Sequence, residues 1–317
     1  MRAIVFDEFG GPEKLRMAEV SIPTPAADEV LIEVRCASVN PVDWKIREGM
    51  LADLFPHEFP IVPGWDASGG IASVGKGVTA FHIGDKVYAY CRKPKIRHGT
   101  YAEYVTMTAE AVAPMPRNLD FAAASTIPLA GLTAWQALFD AGKLSAGGKV
   151  LVHAGAGGVG SLAIQFAKAA GATVYTTARG QNHAYVKGLG ADAAIDYTRV
   201  KFVDAVRALA PEGLDLVLDT MGEHVQRESY KALKRGGMLV SIINVPESGE
   251  AERYGARTSF VFVSPNGGQL REIAGRIEAG KVRPPEYEVM PLDRAAEAQE
   301  RSRTGHVRGK IVLNIRS

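Results

Sequence analysis

Three glycines at fixed spacing carry the strongest chemical signal in this chain. Gly155, Gly157 and Gly160 follow the apolar run Val150-Leu151-Val152, and a helical pattern begins at once behind them. G-x-G-x-x-G between a strand and a helix has the form of a dinucleotide-binding turn. Glycine permits the tight bend and lets the backbone approach a pyrophosphate. The helix N-terminus then offers unpaired N–H groups and the positive end of its dipole to the phosphates. The spacing alone says little in a chain with 34 glycines, so context matters. Val159, Leu162, Ala163, Phe166, Ala167 and Ala170 follow at helical spacing, Gly171 ends the run, and Thr173–Thr177 reads as the next strand. The alternative is a plain strand–turn–helix with no ligand.

A second signal lies past that strand. A dinucleotide fold that takes NAD usually places an acid about 20 residues beyond the first glycine, bonded to the ribose 2′-hydroxyl. Here the sequence reads Thr176-Thr177-Ala178-Arg179-Gly180, with no acid. Arg179 could pair with a 2′-phosphate, which favours NADP(H); otherwise it is an ordinary surface cation.

The elements that must position these residues fall into two kinds. Up to about residue 120 the chain is β-rich, with Val30, Ile32, Val34 and Cys36 alternating as in a half-buried strand. The basic run Arg92–His98 contains Pro94 and precedes Gly99, and reads as a solvated loop rather than a nucleic-acid patch. From Phe121 helices and strands alternate. A helix over 121–140 is interrupted near Pro128. Strands are expected near 149–153, 173–177, 193–195, 214–219, 237–243 and 259–263, and helices near 158–171, 181–189, 200–210, 223–234 and 266–279. Such alternation predicts a parallel sheet with helices on both faces. The tail from about Pro284 reads as β and is expected to rejoin the first domain. The predicted fold class is thus α/β, a doubly wound Rossmann sheet domain beside a β-rich one.

Composition narrows the function. The 317 residues are 46% hydrophobic and 23% charged, with a net charge of +2; this is the balance of a globular domain pair, without the basic excess of a nucleic-acid binder. Two cysteines, Cys36 and Cys91, are too few for a disulfide scaffold and fit a reducing compartment. The N-terminus reads as a strand rather than a signal peptide. No apolar run approaches the roughly 18 residues of a membrane span. The cytoplasm is the expected location.

Several motifs in order resemble the zinc-free medium-chain dehydrogenase/reductases of the quinone oxidoreductase (zeta-crystallin-like) type. They are Ser38-Val39-Asn40-Pro41-Val42-Asp43-Trp44-Lys45, Pro63-Gly64-Trp65-Asp66, Gly84-Asp85-Lys86-Val87, Gly99–Tyr104, Ala130–Trp135, Gly155–Gly160, Leu189–Asp192 and Gly309–Val312. The resemblance covers essentially the whole chain, and the N-P-V-D-W-K form is most similar to the alkenal/enone reductase branch. It implies a GroES-like β-rich catalytic domain over 1–122, completed by 284–317, with an NADP(H)-binding Rossmann domain at 123–283 inserted in it. The active site would lie in the cleft between them, and homodimers would be common.

The resemblance also implies site residues. Ala156, Gly157, Gly158 and Val159 would form the phosphate turn, and Arg179 and Tyr197 would face the 2′-phosphate. Thr133, Ile243, Asn244, Phe262 and Val263 would contact nicotinamide and ribose. Many relatives carry Ser where Arg179 stands and Lys where His183 stands; Arg179 supplies equivalent charge. Lys45 and Asn40 are the candidate catalytic residues, the Lys45 ammonium stabilising an enolate; the alternative for Lys45 is a solvated surface lysine. Asn40 and Asp43 would orient that loop, or serve only as turn residues. Trp44, Phe55 and Trp65 are pocket walls or core. Cys36 alternates with core residues and reads as inert.

No metal is expected. Catalytic zinc needs three protein ligands and an open position. The place of the first ligand holds Asn40, the Gly-His-Glu place reads Gly64-Trp65-Asp66, and His57, His82 and His98 are scattered. Without that Lewis acid the expected reaction is hydride transfer from NADPH to a quinone, or to the C=C bond of an α,β-unsaturated carbonyl. Two alternatives stand beside it: a non-catalytic NADPH-binding protein of crystallin-like or RNA-binding type, and an enoyl-thioester reductase.

Overall fold

A computed structural model describes residues 1–316. In chain order the strands are β1 (Arg2–Val5), β2 (Arg16–Glu19), β3 (Glu29–Val39), β4 (His57–Val62), β5 (Asp66–Val74), β6 (Lys86–Tyr90), β7 (Ile96–His98), β8 (Tyr104–Thr108), β9 (Val112–Pro114), β10 (Lys149–Val152), β11 (Thr173–Thr177), β12 (Ala193–Ile195), β13 (Leu214–Asp219), β14 (Leu233–Ser241), β15 (Arg257–Phe260), β16 (Tyr287–Pro291) and β17 (Lys310–Asn314). The helices are α1 (Pro41–Arg47), α2 (Phe121–Ser125), α3 (Pro128–Trp135), α4 (Gly158–Ala169), α5 (His183–Gly188), α6 (Phe202–Leu209), α7 (Glu223–Ser229), α8 (Ser248–Arg253), α9 (Gly267–Glu278) and α10 (Ala295–Arg303).

The chain divides into two compact units. Unit 1 comprises Met1–Leu129, Ser264–Gly280 and the segment from Pro284 onward. Its sheet runs β16-β17-β3-β5-β6-β9, with β8 also paired to β3. The central strand β3 explains the sequence pattern. Glu33 and Arg35 stay half-buried while Val30, Ile32 and Val34 are fully buried, and from Cys36 to Val39 every residue is buried. The tail rejoins this unit as expected, with Val312 of β17 opposite Ser38 of β3. It is not all β, however. α10 lies within it, and only Ala295, Ala298 and Gln299 of that helix are buried. A helix that buries alanines carries no apolar stripe to read. Helix α9 belongs to unit 1, where Gly267 lies against the backbone of Glu110 and Val112, although 123–283 was the span expected for the other domain.

Unit 2 comprises Ala130–Val263 and Lys281–Arg283. Its strands are all parallel, in the order β12-β11-β10-β13-β14-β15. Numbered within the unit this is 3-2-1-4-5-6, the doubly wound arrangement whose strand order reverses between the first and fourth strands. α4 is buried nearly all round, with Leu162, Ala163, Ile164, Phe166 and Ala167 inaccessible. It ends in a Schellman turn. Ala172 N–H donates to Ala167 O at 3.1 Å, Gly171 N–H donates to Lys168 O at 3.0 Å, and Gly171 sits at φ +81°, where a side chain would be strained. The interrupted helix near Pro128 is observed as α2 and α3, and α3 runs on into a π-helical turn over Gln136–Ala141. Among the described residues no helix is long and apolar enough to cross a membrane.

Candidate functional site

In unit 2 the glycine turn joins β10 to α4. A Cβ on Gly155 would lie 2.0 Å from Thr176 Oγ1, and one on Gly160 would lie 2.3 Å from Ala154 O. Those two glycines are required by packing inside the turn. Gly157 differs. It is the N-cap of α4, and a Cβ there would meet only Ala154 O, at 3.4 Å. Its face away from the protein is open, as a position approached by a phosphate must be. The dinucleotide reading of the turn therefore fits the space around it.

The other residues expected at the cofactor gather at one end of the same sheet. Ala156–Val159 follow β10, Arg179 follows β11, Tyr197 follows β12, Ile243 and Asn244 follow β14, and Phe262 and Val263 follow β15. All lie just past the carboxyl ends of parallel strands, where open α/β sheets bind ligands. Thr133 comes instead from α3 and is buried. Arg179 Nε donates to the Tyr197 hydroxyl at 3.1 Å, so the two residues expected at a 2′-phosphate do meet. Ile243, Phe262 and Tyr197 are large apolar side chains left 40%, 40% and 47% exposed.

Two supports of this end carry no sequence signal that singles them out. Buried Asp219, at the end of β13, accepts from Met221 N, Gly222 N, Gln226 Nε2 and Ser241 Oγ, all within 2.8–2.9 Å. It ties the loop after β13 to β14. His153, at the start of the glycine turn, is fully buried between Thr177 Oγ1 at 3.1 Å and Ser229 Oγ at 2.9 Å. The Ser229 hydroxyl donates to Val225 O at 2.7 Å, and Ala154 N–H donates to Thr177 Oγ1 at 3.1 Å. Proton accounting then assigns the neutral tautomer. Nε2–H donates to Ser229, and the Thr177 hydroxyl donates to Nδ1. Burial drives the His153 pKa down to about 4.

Unit 1 holds the residues expected at the reacting end. Asn40 directly precedes α1, Asp43 is in its first turn, and Lys45 is on the same helix. Asn40 N–H donates to Asp43 Oδ2 at 2.8 Å, and so does the Tyr101 hydroxyl, at 2.8 Å. Burial pushes the Asp43 carboxyl up to about 7. The Asn40 amide also bonds to groups outside the helix. Its Nδ2 donates to Ser38 O at 3.3 Å and to Asp66 Oδ2 at 2.8 Å, and its Oδ1 accepts from Lys310 Nζ. Asp66 also accepts from Ser38 Oγ at 2.8 Å, Leu129 N at 2.6 Å and Lys310 Nζ at 3.4 Å. Asn40 is thus spent on orienting its loop. Lys45 is half-buried, and burial lowers its pKa. Its ammonium lies 5.6 Å from the Trp44 ring centroid, with Arg303 at the same distance from that ring, and it has no hydrogen bond or ion pair among the described residues. Trp65 is core, edge-on to Phe55 and Tyr90. The basic segment is only partly a loop. Ile96–His98 is β7, Lys93 pairs with Glu29 at 2.7 Å, and Lys95 and Arg97 both pair with Glu58. Cys36 and Cys91 are buried free thiols that burial pushes up to about 11 and about 12.

A β-rich unit drawn from three separate stretches of chain, in a chain that also carries a 3-2-1-4-5-6 sheet with a glycine turn, has the class features of a GroES-like and Rossmann protein. The chain matches the alcohol dehydrogenase GroES-like domain over residues 26–117 and the zinc-binding dehydrogenase family over 189–313. It is 37% identical to the NADPH-dependent alkenal/one oxidoreductase, chloroplastic, of Arabidopsis thaliana, over 99% of this chain and 79% of that one. The quinone oxidoreductase structure from Coxiella burnetii superimposes with a TM-score of 0.90 at 36% identity, covering 100% and 99% of the two chains. The Escherichia coli quinone oxidoreductase complexed with NADPH does so with 0.88 at 26%, covering 99% and 100%. The chain belongs to the medium-chain dehydrogenase/reductase family. The zinc for which the second family is named finds no fit here. Among the described residues no three His, Cys, Asp or Glu side chains are placed to hold a metal, and the Asn40 and Asp66 side chains are committed to Lys310.

Proposed function

We propose that this chain is a zinc-independent, NADPH-dependent reductase acting on a quinone or on the C=C bond of an α,β-unsaturated carbonyl. The observation that carries this reading is the arrangement in unit 2. An open-faced Gly157 stands at the reversal point of a parallel sheet, and the Arg179–Tyr197 pair stands past the adjacent strands. Family membership and the names of the relatives support it. The nicotinamide, when bound, supplies the hydride. The turn at Ala156–Val159 holds the pyrophosphate through backbone N–H groups, and Arg179 with Tyr197 selects the 2′-phosphate. Thr133, Ile243, Asn244, Phe262 and Val263 orient the nicotinamide end. Lys45, a cation with no hydrogen bond or ion pair among the described residues, stabilises the negative charge that grows on the substrate oxygen. Asn40 holds the helix that carries it. A homodimer is part of the reading, and light scattering of the purified chain tests it.

The direct experiment follows NADPH absorbance with a panel of enals, enones and quinones. Turnover with at least one acceptor is expected, and Lys45→Ala should lower kcat by about tenfold or more. No turnover with any acceptor would sink the reading, and unchanged kinetics in Lys45→Ala would remove that residue from it.

A further inference from the structure

Lys310 is a charged residue at the start of a strand, yet its side chain is only 5% exposed. The register of β17 on β3 pairs Ile311 with Val39, which sets Lys310 across from Asn40. Its ammonium donates to Asn40 Oδ1 and to Asp66 Oδ2. Asp66 is itself fully buried and fixed by Ser38 and by the backbone of Leu129. This is an ion pair inside protein, and such pairs seldom earn their place by stability, because apolar residues of the same volume often do as well or better.

What the pair holds is more telling. α1 has seven residues, too few to be stable by itself, so its direction depends on what grips its ends. At the far end Arg47 is fully buried, donating to Gly10 O at 3.2 Å, Gln299 Oε1 at 2.8 Å and Glu300 Oε1 at 2.9 Å. At the near end the grip is shared by Asp43, whose carboxyl accepts from the Tyr101 hydroxyl at 2.8 Å, and by Asn40. The Asn40 amide is bonded on both its oxygen and its nitrogen, and Lys310 is the donor to its oxygen. Pro41 follows directly, and its ring fixes φ, so the orientation of residue 40 passes into the helix with little slack. Lys45 lies between the two grips without a polar partner of its own among the described residues. The placement of α1 therefore sets where the Lys45 side chain starts, and the Trp44 ring is the contact its ammonium makes.

We propose that Lys310 is a positioning residue for the reduction: its buried ammonium fixes the Asn40 amide and thereby the direction of α1 and of Lys45. This rests on the role given to Lys45 above. The catalytic work of the group comes through Asn40, not through contact with substrate.

The test uses Lys310→Met together with the double variant Lys310→Met/Asp66→Asn. The single change strands a buried carboxylate and can fail to fold; the double change removes both charges at once. The primary readout is independent of turnover. Lys45 acylation by an amine reagent is followed against pH by peptide mass spectrometry, with exposed Lys76 as the internal reference. The double variant should raise the Lys45 labelling midpoint by about one pH unit toward that of an ordinary lysine, while Lys76 stays put. In the same variant kcat should fall about tenfold, with KM for NADPH unchanged. In a Lys45→Ala background the double change should have no further effect on kcat. A Lys45 midpoint equal to that of the parent chain in a folded double variant overturns the proposal, whatever the rates. If the parent chain turns over no acceptor, the reductase reading fails, and the labelling midpoint still decides where Lys310 acts.

Discussion

Each unit buries a polar network, and the two are built on opposite chemistry. In unit 1 the network is ionic: Lys310, Asp66 and Asp43 are all inaccessible or nearly so, joined through Asn40, Ser38 and Tyr101. In unit 2 the chain under the glycine turn is neutral, a hydroxyl–imidazole–hydroxyl run from Ala154 N–H through Thr177, His153 and Ser229 to Val225 O, while the one buried acid of that end, Asp219, has its oxygens filled by four hydrogen bonds. The difference follows what each network holds. The neutral chain braces a turn whose own N–H groups and dipole are enough to hold a phosphate without an added side-chain charge. The ionic cluster orients a short helix bearing a lone ammonium, and directional bonds to charged groups fix an orientation more strongly than neutral ones.

The contrast makes measurable differences. The largest belongs to Lys310→Met, which leaves Asp66 buried and unpaired and should cost about 3–5 kcal/mol in a denaturant titration at neutral pH. A loss under 1 kcal/mol would mean that the cluster is not ionic in solution.

The next expectation concerns pH, where the two networks should pull in opposite senses. The Asp43 carboxyl is raised by burial from 3.8 to about 7. Its contribution is fully present below about 3.8 and is lost as pH rises through about 7. His153 is lowered by burial from 6.5 to about 4. Its contribution is fully present above about 6.5 and is lost as pH falls through about 4. Over pH 4–7 the two offset each other. Asp43→Asn should therefore leave stability that climbs with pH across this window, and His153→Leu stability that declines, each by a few kcal/mol on the usual conversion. Parallel slopes in the two variants would show that the two networks do not titrate in opposite senses.

At pH 7.5, where the imidazole is neutral in both folded and unfolded chains, His153→Leu should cost only about 1–3 kcal/mol, the loss of hydrogen-bond partners without a stranded charge. Smallest in free energy is the exposed end of unit 2. Arg179→Ala should raise KM for NADPH about tenfold and leave KM for NADH nearly unchanged. An equal effect on both would remove Arg179 from the 2′-phosphate.

What the sequence made legible follows from distance along the chain. The turn after β10 could be read because strand, glycines and helix are contiguous, and the spacing reports the backbone directly. The sheet order could be expected because each strand is followed by its own helix. The Lys310–Asn40–Asp66 cluster could not, since its members are separated by 244 and 270 positions and meet only through strand register. The His153 chain has the same problem over 24 and 76 positions. α10 was hidden for another reason. Its buried face is alanine and glutamine, so neither the helical nor the strand period stands out.

The discontinuity of unit 1 has a consequence for how the protein is made. Unit 2 draws nearly all its residues from one uninterrupted stretch, Ala130–Val263, whereas β3 of unit 1 awaits β17 along one edge. A chain emerging from the ribosome can close the parallel sheet while Asp66 still lacks its ammonium partner. The inserted unit should fold first, and the discontinuous one should lock only when residue 310 arrives. Nascent-chain force measurements along the transcript would place the two events, and a single late event for both units would contradict this order.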